Sequence, residues 1–297
     1  MEKKFLSDPE FGKIVLRKNV RSHGISLRIK GKADRDGCRI SVTLPWFSRY
    51  KDGEEFLGKK RAWIREAMAR QDRRSMEAAE TGKAIVGITD GTCVETLISR
   101  IVFTAVKCQE QGKRMAVKLT CSPVENPEDT ARLWLSPGHP LFIKKAAFPE
   151  TATQQGLAKV LVEILRDEAR LLLEQKSDYL AGTYGFHFAK LTIKHNSSNW
   201  GSCSTAGNIN LNLNLVRLPE PLCDYVILHE LCHLKEPNHG RRFHEMLEAL
   251  CISNIRHLIN IGSPDAAIYS RWTCGNNENL SPLNEVLSRE ISGWKMI

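Results

Sequence analysis

Residues His229, Glu230, Leu231, Cys232 and His233 spell H-E-x-x-H within an apolar stretch, with Tyr225-Val226-Ile227-Leu228 before the motif and Leu234 after it. At 3.6 residues per turn, positions i and i+4 fall one above the other on the same face of a helix. Two neutral imidazoles so placed reach a single zinc ion at about 2.0–2.1 Å, and Glu230, turned about 100° round the helix, can serve as general base towards a water that the metal activates. The Val, Ile and Leu around the motif predict a buried helix, and a buried His-Glu-His set needs a partner to offset its desolvation. A zinc ion would be that partner. The plainer alternative, a surface helix with both histidines in water, leaves the apolar flanks without a reason.

Catalytic zinc takes three protein ligands and keeps one position open. Four histidines fall between 229 and 244, namely His229, His233, His239 and His244. Glu236 lies at i+3 from His233 but seven residues past His229, about 10.5 Å along a helix axis, whereas ligands of one tetrahedral zinc stand about 3–3.5 Å apart. The third ligand therefore requires the chain to turn back. Pro237 removes an N–H and disfavours helix at Glu236, and Asn238 and Gly240 tolerate turn geometry. His239 sits in that turn and is the expected third ligand, in the pattern H-E-x-x-H-x5-H. His244 is the competing ligand. It stands among Phe243, Met246, Leu247 and Leu250, the apolar stripe of a following helix, where a packed histidine or one that supports the ligands from behind also fits.

The stretch Asp224 to Leu234, with Asn238-His239 and Phe243, resembles the YgjP-like metallopeptidase domain family of bacterial zincins and is more distantly similar to SprT-like proteases. Trp200-Gly201-Ser202-Cys203-Ser204 and Gly207-Asn208-Ile209-Asn210-Leu211-Asn212 match a second hallmark of that family. A looser likeness runs through Arg17, Arg21, Leu27-Arg28, Pro45, Phe56 and Trp63-Ile64, so that residues 14–70 and 185–262 carry most of it. The resemblance implies an α+β zincin-like domain, with the active-site helix packed beside a small mixed sheet. It also implies His229, His233 and His239 as zinc ligands, Glu230 as catalytic base and one Zn²⁺ per chain. The chain departs from the family at Asn199, where a basic residue is usual, at His244, where an aromatic is usual, and in a longer segment over 72–150.

Asn208, Asn210, Asn212 and Asn214 alternate with Ile209, Leu211, Leu213 and Leu215, the period of a half-buried strand. Its amides are expected to face outward beside the zinc helix, either as a solvated face or as a rim, with Asn210 and Asn212, that holds an extended peptide by strand addition. Lys190 to Lys194 reads as the preceding strand, joined to it through the turn-prone Asn196-Ser197-Ser198-Asn199. Trp200 reads as a core aromatic, and Cys203 and Cys232 as packing residues rather than ligands. Arg241 and Arg242 stand at the expected rim of the site.

No apolar run approaches the ~20 residues of a membrane span, and the start, Met1-Glu2-Lys3-Lys4-Phe5, lacks the apolar core of a signal peptide. A cytoplasmic protein with no membrane partner is expected. Nine cysteines without paired spacing fit reduced thiols. The formal charge of +9 points to an anionic partner, a nucleotide or nucleic acid met through a basic surface. Its clusters, Lys59-Lys60-Arg61, Arg70 with Arg73-Arg74, and Arg241-Arg242, read as spread along the chain.

Residues 1–150 are expected to form a β-rich N-terminal subdomain, with strands at 13–17, 25–29 and 38–44, a helix at 54–79, and further strands at 94–106, 114–121 and 131–135. Residues 151–262 are expected to hold the metallopeptidase domain: a helix at 154–180, the two strands, the zinc helix 221–236 and a helix 241–258. Residues 263–297, with Pro264, Asn276 and Asn277, read as an irregular extension. The chemistry expected is zinc-assisted hydrolysis of peptide bonds in a peptide or protein substrate. One rival is a metal-dependent hydrolase of nucleotides or phosphoanhydrides with Arg241 and Arg242 on phosphate. The other is a DNA-associated protease of the SprT-like type.

Overall fold

The computed structural model describes residues 3–30, 33–34, 36–80, 83, 85, 87–107, 117–123, 142–274 and 280–297. The chain is mixed α+β and divides into two compact units, Met1–Gly82 and Lys83–Ile297.

The first unit is a four-stranded sheet and one helix. Strands β1 (Lys3–Asp8), β2 (Gly12–Asn19), β3 (Ser26–Ile29) and β4 (Ile40–Pro45) lie in the order β1-β2-β4-β3, followed by α1 (Tyr50–Glu80). Ile40, Val42 and Leu44 repeat with period two and so share one face of β4. With Ile14 and Leu16 of β2 they pack against Leu57 and Ile64, one heptad apart on α1. Gly53 brings the start of that helix down onto the sheet: a Cβ there would stand 2.7 Å from Leu16 Cδ2 and 2.9 Å from Leu44 Cδ2. Arg61, in the basic run at 59–61, is held by Asp8 and Glu10.

The second unit begins with β5 (Cys93–Glu95), β6 (Ser99–Val106), β7 (Lys118–Pro123) and β8 (Phe142–Pro149), in the order β5-β6-β8-β7. The single strand expected at 94–106 is split because Thr96 turns the chain, its Oγ1 accepting from Ser99 N at 2.9 Å. The strand expected at 131–135 and the first three residues of the one expected at 114–121 lie outside the described residues. Ile101 and Phe103 of β6 and Ala146 and Phe148 of β8 share one core with Leu157, Leu161 and Leu165 of α2 (Gln154–Tyr184). This shared core is why the units divide after Gly82 and not at residue 150.

Strands β9 (Lys190–Lys194), β10 (Gly201–Cys203) and β11 (Asn208–Asn212) form a small mixed sheet in the order β10-β11-β9. β11 runs antiparallel to β10 and parallel to β9. Helix α3 (Glu220–Cys232) packs against β10 and β11, and also against α2, α4 (Arg241–Asn260) and α6 (Leu283–Ile291). Residues 220–228 and 230–232 of α3 are all buried, as expected of a helix surrounded on every side. It ends at Cys232, four residues earlier than expected, and His233 is its C-cap.

The C-terminal segment is structured. After a single turn, α5 (Pro264–Ala267), α6 buries Leu283, Leu287 and Ile291. Its N-terminus is capped from a distance: Glu248 of α4 accepts the backbone N–H groups of Leu283 and Asn284, each at 2.8 Å. No described helix is long and apolar enough to cross a membrane.

A buried polar cluster fixes the start of α3. Lys176 Nζ of α2 lies 2.7 Å from Glu220 Oε1 and 2.8 Å from Asp224 Oδ1. Asn254 Nδ2 donates to the other Asp224 oxygen at 3.0 Å. Burial disfavours the Lys176 ammonium, yet the Asp224 and Glu220 carboxylates outweigh it and raise its pKa; burial raises that of Glu220.

Candidate metal centre

Three imidazoles converge where α3 gives way to α4. One nitrogen from each of His229, His233 and His239 lies within 4.8 Å of the others. His229 Nε2 and His239 Nε2 are 3.1 Å apart. Helix geometry brings the first two together, one turn apart on α3, with ring centroids 5.0 Å apart. The turn through Pro237 brings the third, 5.1 Å from the first ring and 4.7 Å from the second. Phe243 is fully buried and forms a shared floor, its ring centroid 4.7–4.9 Å from each of the three.

His233 Nδ1 is 3.2 Å from the carbonyl oxygen of Glu236. A carbonyl only accepts, so Nδ1 carries the proton and the Nε2 lone pair is free for a metal. Glu236 thus enters through its backbone and not as a carboxylate ligand. Burial lowers the pKa of His229 to about 4, with His233 and His239 adding to the effect; burial also lowers that of His239. Both rings are therefore neutral near pH 7 and present lone pairs. His229 Nδ1 is buried with no hydrogen-bond partner among the described residues. Three imidazole nitrogens with no carboxylate among them suit zinc, copper, iron or nickel rather than magnesium or calcium.

Glu230 is 5 % exposed, and burial raises its carboxyl pKa to about 7. It shares a cavity of about 740 Å³ with the three histidines and with the hairpin residues Gly201 to Gly207. Gly201 is fitted to it: a Cβ at that position would lie 2.6 Å from Glu230 Oε1 and 2.7 Å from its Cγ. The glycine of the Trp-Gly pair is thereby explained as a site residue. A second cavity, of about 440 Å³, opens on the far side of His229 and His239, between Phe243, His244 and the α6 residues Asn284, Ser288 and Arg289.

His244 stands apart from the triad, exposed, its ring 6.4 Å from that of His239. The asparagines differ from expectation. β11 is the central strand of its sheet, and the period-two pattern stops at Asn212, where the backbone bends into a 3₁₀ turn, Leu213–Arg217. Asn212 is 1 % exposed and Asn214 fully buried, so these amides do not face outward. Asn212 Nδ2 donates to the carbonyls of Asn196 and Asn199 at 2.8 and 2.9 Å, tying down the loop before Trp200. Asn210 Nδ2 donates across the hairpin to Ser202 Oγ at 3.1 Å. Neither side chain lines the larger cavity; its free strand edge belongs to β10.

Arg241 and Arg242 are exposed and also lie outside that lining; Arg241 pairs with Glu245 at 2.7 Å. Cys232 is fully buried, while Cys203 lines the cavity, its thiol pKa raised by burial and by Glu230. His187, Ser202, Ser204 and Thr205 complete the polar lining. The sequence singled out none of these four for a role, although three belong to the segment after Trp200.

Residues 141–254 match the family model described as YgjP-like, metallopeptidase domain. No curated protein and no solved structure matches the chain. The match spans β8 to α4 and includes every residue of the triad, Glu230 and the β10–β11 hairpin.

Proposed function

We propose that this chain, with its YgjP-like metallopeptidase domain over residues 141–254, is a zinc-dependent peptidase centred on His229, His233, His239 and Glu230. One observation carries the reading: three metal-ready imidazoles and one buried carboxylate, which is not among the converging ligands, face a common cavity. Zinc held by the three histidines would supply Lewis acidity, acidifying water and polarising a carbonyl. Glu230 takes the proton from the attacking water on a carboxylate oxygen and delivers it to the leaving amine. The backbone of Gly201 allows that carboxylate its place.

An extended peptide suits the cavity. β10 is an edge strand of its sheet and lines the cavity, where a substrate strand could add to it, and no Lys or Arg is among the described residues that line it. A triphosphate would find no Lys or Arg in that lining to share its charge with the metal, which weighs against the nucleotide alternative.

The test is turnover by chelator-treated protein before and after zinc is restored, on a panel of peptides and nucleotides. Peptide hydrolysis that returns with zinc is expected; hydrolysis of nucleotides alone would sink the peptidase reading. In the same assay Gly201→Ala should lower turnover at least tenfold with zinc content unchanged, since the new methyl displaces the Glu230 carboxylate (roughly 1–3 kcal/mol of overpacking). Undiminished activity would show that the carboxylate position does not matter.

A further inference from the structure

The charge of this protein is not spread along the chain. Residues 1–82 hold 20 Lys and Arg against 12 Asp and Glu, a net +8 of the +9 total, and residues 83–297 are close to neutral. That boundary is the boundary of the first compact unit. A strongly basic unit joined to a nearly neutral one has its own electrostatic footprint, independent of the chemistry in the second.

The same unit exposes aromatic rings at one end of its sheet. β2 and β4 are parallel, with Asn19 opposite Pro45, so the connections that follow them leave the sheet side by side. The first bears Val20 and Arg21, and the second Trp46, Phe47 and Arg49. Val20 is 79 % exposed, Trp46 61 % and Phe47 68 %, in a class of side chain that a monomer normally buries. The Trp46 and Phe47 rings stand 6.1 Å apart at 88°, two separate faces rather than one stack. The same connections and the strand end before them carry cations. Arg21 is exposed, the Arg49 side chain is 86 % exposed, and Lys18 Nζ lies 5.0 Å from the centre of the Tyr50 ring. Two acids lie nearby: Asp52, 3.8 Å from Arg49 Nε, and Glu54, paired with Lys4 at 2.8 Å.

We infer that this end of the N-terminal unit is a docking surface for single-stranded nucleic acid, with bases stacking on Trp46 and Phe47 and phosphates meeting Arg21, Arg49 and Lys18. Charge supplies the attraction and is blind to base sequence; exposed ring faces favour unpaired bases over a duplex, whose bases are already stacked. The inference does not depend on the peptidase reading, since none of its residues belongs to the metal centre.

Fluorescence anisotropy of a labelled oligothymidine of about 16 nucleotides, titrated with the full chain, tests it. Binding should weaken steeply between about 50 and 200 mM salt, and a duplex of the same length should bind less tightly. Trp46→Ala and Phe47→Ala should each cost about 5- to 150-fold in affinity, while the exchange Trp46→Phe with Phe47→Trp, which keeps two rings, should retain binding. Arg21→Gln with Arg49→Gln should flatten the dependence of log affinity on log salt by about 1.4, two phosphate contacts' worth for a single strand. Both rings are exposed, so a circular-dichroism melt matching the parent is expected for every variant. No binding at the lower salt would overturn the inference. So would affinity indifferent to loss of both rings, or sedimentation with anionic phosphatidylserine vesicles in place of oligonucleotide binding.

Discussion

Replacing Glu230 by glutamine should reduce peptide hydrolysis by about 10²- to 10⁴-fold while leaving zinc content unchanged. The amide has nearly the shape of the carboxylate and fits the space that Gly201 leaves open, so the surrounding structure has no cause to move. It cannot take a proton from water or return one to a leaving amine. Glu230 is also absent from the converging ligand set, which is formed by His229, His233 and His239. Metal analysis and steady-state turnover on the same preparation separate the two roles. A variant that loses zinc would make Glu230 a ligand, and one that keeps its turnover would remove it from the chemistry.

The second large effect concerns stability. Lys176→Met should destabilise the C-terminal unit by about 3–5 kcal/mol, a fall in melting temperature on the order of 10 °C. Lys176 is 4 % exposed and is the cation facing both Glu220 and Asp224, themselves 3 % and 1 % exposed. Without it two neighbouring buried carboxylates lose the cation they share. The physical cause is an uncompensated charge rather than a lost attraction. Neutralising both acids as well, in Lys176→Met with Glu220→Gln and Asp224→Asn, should therefore recover most of the loss. Thermal unfolding of the single and triple variants decides it. Equal destabilisation of both would assign the effect to packing. Since the cluster anchors the first turn of the helix that ends in His229, Glu230 and His233, the single variant should also bind zinc less tightly.

The convergence of the three histidines was legible because it rests on local rules. Helical period places His229 over His233, and Pro237 turns the chain where His239 can return. What escaped the sequence depends on partners far along the chain. Helix α6 lacks a cap residue of its own, since Glu248, some 35 residues earlier, accepts its first N–H groups. β8 is an interior strand whose Lys144-Lys145-Ala146-Ala147 breaks any alternation. The half-buried Lys144 makes sense only beside the buried Glu168 of α2, 2.6 Å away. The asparagines misled for a related reason. Alternation gives which positions share a face but not whether that face meets water, and Asn212 spends its amide on the backbone of Asn196 and Asn199. Gly201 was visible as a motif, but only the proximity of Glu230 gives its reason.

Zinc stoichiometry across three proteins tests the central claim most directly: the parent chain, His239→Ala and His244→Ala, each stripped with chelator, reloaded with zinc and passed through a desalting column. The geometry predicts that the parent and His244→Ala hold one zinc per chain and that His239→Ala holds little or none. Zinc retained by His239→Ala, or lost from His244→Ala, would contradict a site built on His229, His233 and His239.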